Sequence, residues 1–121
     1  MMTQKKSANS DFLNGVPELL ILSLLEKRPV HGYELVRWIR ESTGDPTEFG
    51  ESAIYPILHR LKAAGMLDSE DIEVAKRPRT VYRLTQAGIV RLAHTRVAWN
   101  TMVQMVSKVL KASDETIAQT A

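Results

Sequence analysis

Residues 50–88 read GESAIYPILHRLKAAGMLDSEDIEVAKRPRTVYRLTQAG. In the first third of this stretch Ile54, Ile57, Leu58 and Leu61 recur at helical spacing and make one apolar face. Tyr55, His59 and Lys62 fall together on a different face, with Ser52 near the helix start. Gly65 supplies the stop, so the spacing predicts a helix over Glu51–Ala64. Pro56 deletes one backbone hydrogen bond and is tolerable only near the start of that helix. Two strand-like runs follow, Met66–Val74 and Arg79–Leu84, the second carrying the β-favouring pair Val81-Tyr82. Between them lies a basic tip, Lys76-Arg77-Pro78-Arg79. Asp68, Glu70, Asp71 and Glu73 precede it, and Arg83 follows, so part of this charge is expected to pair with itself across the hairpin.

Upstream, Pro17 suits a first helical position, and Leu19, Leu20, Leu22, Leu24 and Leu25 fill a short apolar helix that Pro29 ends. A second helix starts near His31-Gly32 and carries Leu35, Val36, Trp38 and Ile39. Gly44-Asp45-Pro46 stops it, with glycine where a left-handed cap is wanted and proline just after. Three helices followed by a hairpin with a charged tip is the layout of a winged helix-turn-helix, in which the third helix enters a DNA major groove and the hairpin touches the flanking backbone. The expected fold is mainly α with a small β-wing, over residues 11–85. Residues 1–10 are polar and aperiodic and are expected to form a mobile arm.

Downstream, Thr85 begins a long helix predicted to reach about Lys111. Ile89, Leu92, Trp99, Val103, Val106 and Leu110 step along it as a coiled-coil seam does, with Arg96 interrupting. A second stripe holds Ala98, Met102, Met105 and Val109. A helix apolar on two sides needs two partners: the chain's own domain and, most simply, a second copy. Residues 86–111 are therefore expected to be a dimerisation helix, with Leu92, Trp99, Val103, Val106 and Leu110 at the interface, and residues 112–121 a frayed tail.

The bulk numbers bound the alternatives. The 121 residues amount to one domain with an added interaction helix, 44% hydrophobic and with a net charge of only +2. Charge placement rather than charge total must therefore carry any nucleic-acid reading. Cysteine is absent, which excludes disulfide and thiolate chemistry and fits a reducing compartment. No apolar run approaches the roughly 18 residues that cross a bilayer. Lys5 and Lys6 have no apolar core behind them, so no secretory signal is read and a cytoplasmic location is expected. Paired carboxylates in an apolar setting, a nucleophile elbow and a glycine-rich phosphate loop are all missing, so neither an enzyme nor a cofactor is expected. His31 has no second ligand at metal spacing on its helix and reads as a structural histidine, and His94 as a polar position.

Three segments carry a family resemblance. His31-Gly32-Tyr33-Glu34-Leu35 resembles the second-helix signature of the PadR family of bacterial transcriptional regulators. Tyr55-Pro56 with Leu58, Arg60-Leu61 and Gly65 resembles its recognition-helix pattern. Arg77-Pro78-Arg79, then Tyr82-Arg83-Leu84-Thr85 and Gly88, resembles its wing and the entry to its last helix. Lys76 stands where the family often has glycine, and Val81 where it often has an aromatic. The single long last helix resembles the short branch of the family. That resemblance implies a homodimer whose recognition helices are related by a two-fold axis. It also places Trp99 where multidrug-sensing members carry a tryptophan that stacks on flat ligands at the dimer centre.

The candidate DNA contacts are Ser52, Tyr55, His59 and Lys62 on the third helix and Lys76, Arg77 and Arg79 on the wing. Arginine at a hairpin tip suits phosphate or minor-groove contact, and Ser52 can offer a hydroxyl or a helical N–H to a phosphate. Tyr55 either reaches DNA or packs against the wing. Arg60 reads better as a fold-stabilising ion pair. Trp99 either packs in the interface or, with Met102 and Val103, lines a space for a flat aromatic or cationic effector. The function expected is a sequence-specific regulator of double-stranded DNA, most simply a ligand-responsive homodimeric repressor on a near-palindromic operator. The alternative is a winged-helix protein–protein interaction module without DNA binding. A membrane-surface role for the last helix fits less well, because few lysines oppose its seam.

Overall fold

The computed structural model describes residues 15–44 and 49–120. The expected arm at 1–10 and the end of the stop signal at Asp45-Pro46 lie outside those residues. Helix α1 spans Val16–Lys27, with Pro17 in its first turn, where a missing N–H costs nothing. A short strand, β1, covers Val30–His31 and leads directly into α2, Gly32–Thr43. Gly44 caps α2 in the left-handed conformation at φ 71°, and its N–H donates to Arg40 O. Helix α3 covers Glu51–Ala63. Pro56 is exposed on it, and the bond its ring deletes is the one to the Ser52 carbonyl, four residues back. Strands β2 (Leu67–Val74) and β3 (Arg77–Leu84) form the wing, and α4 runs from Gln86 to Thr120.

The sheet is antiparallel in the order β1-β3-β2. Val30 pairs with Tyr82 and His31 with Val81, so β1 clamps the base of the wing to the helical core. Two residues are too few to show a strand period, and β1 is not anticipated by the sequence. The core gathers Ile21, Leu22 and Leu25 of α1, Leu35, Val36 and Ile39 of α2, and Ile54, Leu58 and Leu61 of α3. Trp38, which α2 also carries, is 39% exposed and lies outside this core.

The wing tip is tighter than expected. The basic run is not a loop: Arg77, Pro78 and Arg79 belong to β3, and only Ala75 and Lys76 turn the chain. Both have positive φ, 54° and 64°, as a two-residue hairpin with primed geometry demands. That turn usually takes Asn-Gly, so Ala75-Lys76 gave no signal for it.

Entry to α4 is fixed by Thr85. Its Oγ1 accepts from the Gly88 N–H at 3.1 Å, which caps the helix, and donates to Gly65 O at 2.7 Å. A Cβ on Gly88 would collide with Met66 O and stand 2.8 Å from Leu84 Cδ2, so only glycine lets α4 seat here. Two expectations for α4 need correction. It continues to Thr120 rather than ending near Lys111, because nothing after Lys111 breaks a helix. Leu92, assigned to the dimer seam, is 1% exposed and completes the chain's own core, which leaves it no surface to offer a partner.

Candidate nucleic-acid interface

The arrangement of charge on α3 and the wing follows from the β2–β3 register. Arg79 lies opposite Ile72 and Arg77 opposite Val74, so neither arginine has an acid directly across from it. The expected self-neutralisation of the hairpin is confined to Arg83, which reaches Glu70 at 2.9 Å. Arg60 is likewise occupied, at 3.1 Å from Glu18. Arg28, Arg37, Arg91 and Arg96 also sit in ion pairs. Lys62, Lys76, Arg77 and Arg79 make no ion pair among the described residues. The cations of α3's outer face and the wing tip are thus unneutralised, as Lys27, Arg40, Lys108 and Lys111 on the other helices also are among the described residues.

Ser52, His59 and Lys62 are exposed on α3, and Lys76 and Arg77 at the wing tip. Tyr55 is half-buried, with its ring against Gly32, so it does pack within the domain. It also lines a cleft of about 350 Å³ between α2, α3 and β3, together with His31, Gly32, Tyr33, His59, Pro78, Arg79, Thr80 and Tyr82. A neighbouring cleft of about 490 Å³ shares His59, Thr80 and Tyr82 and adds Lys62 and Asp71. The structure therefore brings Tyr55, His59 and Arg79 to one cleft and His59 and Lys62 to the next. Ser52, Lys76 and Arg77 line neither. Sequence reasoning passed over Tyr33 and Tyr82; the inward alternation of Tyr82 with Leu84 on β3 was the signal for the second.

Burial raises the Tyr55 phenol above its ordinary value, aided by Glu51, Tyr82 and Tyr33. Burial likewise raises Tyr82, aided by Asp71. Both hydroxyls remain protonated at neutral pH and available as donors. Nδ1 of His31 is buried without a hydrogen-bond partner among the described residues. No group of His, Asp or Glu side chains placed to hold a metal occurs among the described residues. None of the described helices is long and apolar enough to cross a membrane.

At the other end of the domain, Trp99 and Met102 of α4 meet Gly15, Val16 and Leu19 in a cleft of about 210 Å³. Val103 is not part of its lining and is 41% exposed on the helix. From Thr101 to Asp114 every position of α4 is exposed. Val106 and Leu110, expected at the interface, are 47% and 60% exposed, on a surface shared with Met105 and Val109.

A three-helix core, a β-hairpin wing clamped by β1, and a cationic face on α3 and the wing define a winged helix-turn-helix protein. The chain belongs to the PadR-like family of transcriptional regulators: the family's model matches residues 21–94. It is 34% identical over 96 residues to transcriptional regulator Rv3488 of Mycobacterium tuberculosis, covering 79% of this chain and 87% of that one. A transcriptional regulator from Clostridium thermocellum superposes with a TM-score of 0.73 at 31% identity, over 82% of this chain and 97% of the other. A PadR-like transcriptional regulator from Bacillus cereus gives a TM-score of 0.73 at 26% identity, over 84% and 97%.

Proposed function

We propose that this chain is a cytoplasmic, homodimeric, ligand-responsive repressor that occupies a near-palindromic operator. The observation that carries the reading is the set of unpaired cations, Lys62, Lys76, Arg77 and Arg79, on the outer face of α3 and the wing. The other unpaired cations, Lys27, Arg40, Lys108 and Lys111, are spread over α1, α2 and α4, whereas these four share the helix and wing that would meet one groove and its flanking backbone. In this reading α3 enters the major groove with Ser52, His59 and Lys62, and Lys76, Arg77 and Arg79 hold the flanking backbone.

The apolar stripe Met102, Val103, Val106 and Leu110, projecting beyond the domain on α4, supports a second copy as its cover. Two-fold pairing along α4 would set two recognition helices about 34 Å apart, one turn of DNA. The Trp99 cleft opens beside that stripe. A flat aromatic or cationic effector stacked on Trp99 would favour a dimer geometry with the wrong spacing and release the operator.

The test is the salt dependence of duplex binding by the wild type and by Arg77→Ala/Arg79→Ala. Several phosphate contacts give a steep fall of affinity with salt, and removing two from each subunit of the dimer lowers the slope by about 3.6. An unchanged slope in the variant removes the wing from the interface. A flat slope in the wild type returns the chain to the protein–protein alternative.

A further inference from the structure

Both oxygens of the Glu18 carboxylate on α1 accept from arginine, and the two arginines belong to different helices. Nη2 of Arg60 on α3 donates to Oε1, and Nε of Arg91 on α4 donates to Oε2. The carboxylate is nearly buried, and both arginines reach it from partly exposed positions. Arg60 stands between His59 and Lys62, the side chains given to the groove above. Arg91 stands at the root of the helix that carries the dimer stripe. The other ion pair of α4 among the described residues, Arg96 with Glu26 at 2.9 Å, ends on α1 and does not reach α3.

A second joint lies at the far end of α3, where Thr85 Oγ1 donates to Gly65 O and Gly88 seats against Met66. The two joints are roughly 8 Å apart along each helix. One joint lets a helix swing, whereas two fix its direction. Leu92, beside Arg91, is buried in the core, but apolar burial is non-directional and does not set an angle. The angle matters because α4 is a long lever. Its stripe from Val103 to Leu110 lies roughly 18–28 Å beyond Arg91. A tilt of about 10° at this joint therefore moves the stripe by about 3–5 Å, against a rise of about 3.4 Å for one base pair.

We propose that Glu18 sets the operator spacing that the dimer accepts. By holding Arg60 and Arg91 on one carboxylate it fixes the angle between the recognition helix and the dimerisation helix. The dimer then rejects operators whose half-sites stand one base pair nearer or farther. This rests on the homodimer-on-operator reading above and adds to it the residue that makes the spacing strict. Glu18 touches no DNA in that reading and is a positioning residue. A stiff joint concentrates the second recognition helix at one span, and a loose joint spreads it over several.

The experiment uses the full chain and the variants Glu18→Gln, Arg91→Met and Glu26→Gln. Glutamine at 18 keeps the shape, but its amide NH2 cannot accept from the second arginine, so one link is cut. Arg91→Met cuts the α4 link alone, at a partly exposed position, and serves should Glu18→Gln fold poorly. Glu26→Gln cuts the pair with Arg96 that does not reach α3. Affinities are measured below the melting range of every variant, on a duplex recovered by the wild type. Copies with one base pair deleted or inserted between the half-sites, and a single half-site, complete the set. Ultracentrifugation reports the dimer. The wild type is expected to favour the native spacing by about tenfold or more, and Glu26→Gln to match it. Glu18→Gln and Arg91→Met are expected to bring that preference within about threefold, while remaining dimers and binding the half-site within about twofold of the wild type. Variants that keep the wild-type preference would make the tie a brace of the fold only and overturn the proposal, with the DNA reading intact. An equal loss in Glu26→Gln, a loss of dimer mass, or a wild type indifferent to spacing would overturn it as well. A wild type that binds no duplex would overturn both.

Discussion

Nε of Arg91 lies 2.8 Å from Oε2 of Glu18, whose side chain is 8% exposed, and Nη2 of Arg60 lies 3.1 Å from the other oxygen. One buried carboxylate on α1 thus ties the start of the long helix α4 to the recognition helix α3. Burial alone would raise this carboxyl, but the hydrogen bonds and charges of Arg91 and Arg60 outweigh it and hold it below the usual carboxylate value. Because the native value is depressed, the stabilisation is fully present above the unfolded value and is lost as pH falls through the native one. Glu18→Gln should cost about 1–2 kcal/mol at neutral pH, below the figure for a fully buried pair because both arginines are about half exposed. Urea unfolding from neutral to acid pH checks this: the difference between wild type and variant should shrink as the carboxyl protonates.

Lys76 holds φ 64°, a conformation that costs an ordinary residue roughly 1–2 kcal/mol. It also carries an unpaired charge. Lys76→Gly should relieve the turn, for a net gain of about 0.5–1 kcal/mol after the added freedom of the unfolded chain. The same change, made in both subunits, should lower the salt slope of DNA binding by about 1.8. Chemical denaturation and a salt titration separate the two effects.

Gly88→Ala forces a methyl group against Met66 O and Leu84 Cδ2 at the root of α4. The expected cost is about 1–3 kcal/mol, as for other overpacked sites. Thermal melting should show it, because the Thr85 cap and the Leu92 contact both depend on this seat.

Val103→Glu places a charge in the exposed apolar stripe of α4 and leaves the core of the domain untouched. Analytical ultracentrifugation at micromolar concentration should give a dimer for the wild type and a monomer for the variant. Operator affinity should fall with it, since two half-sites are then no longer held together.

Trp99→Ala removes the largest ring from the cleft beside Leu19 and Met102. Binding of planar dyes should be lost, while DNA affinity changes by less than about threefold, a difference under 1 kcal/mol. Fluorescence titration of both proteins decides it, and equal dye binding returns Trp99 to a packing role.

The helices were legible because Ile54, Leu58 and Leu61, and Leu35, Val36 and Ile39, repeat at helical spacing between strong Pro and Gly punctuation. The unneutralised wing was legible only as composition. Which charges stay unpaired depends on register, and a one-residue slip would have changed the residues opposite Arg77 and Arg79. Strand β1 was hidden by its two-residue length and the tip by the absence of Asn-Gly. Leu92 was misassigned because a seam pattern does not say which of two partners covers a given position. Glu18 was invisible as a tie, since its partners lie 42 and 73 positions away.

The most direct test of the central claim is recovery of bound fragments from sheared source-genome DNA by the purified protein at moderate salt, followed by sequencing. Enrichment of one or a few near-palindromic sites, with half-sites centred about 34 Å apart, is the expected result. Uniform recovery, or none, would contradict sequence-specific regulation by this chain and turn the search to a protein partner.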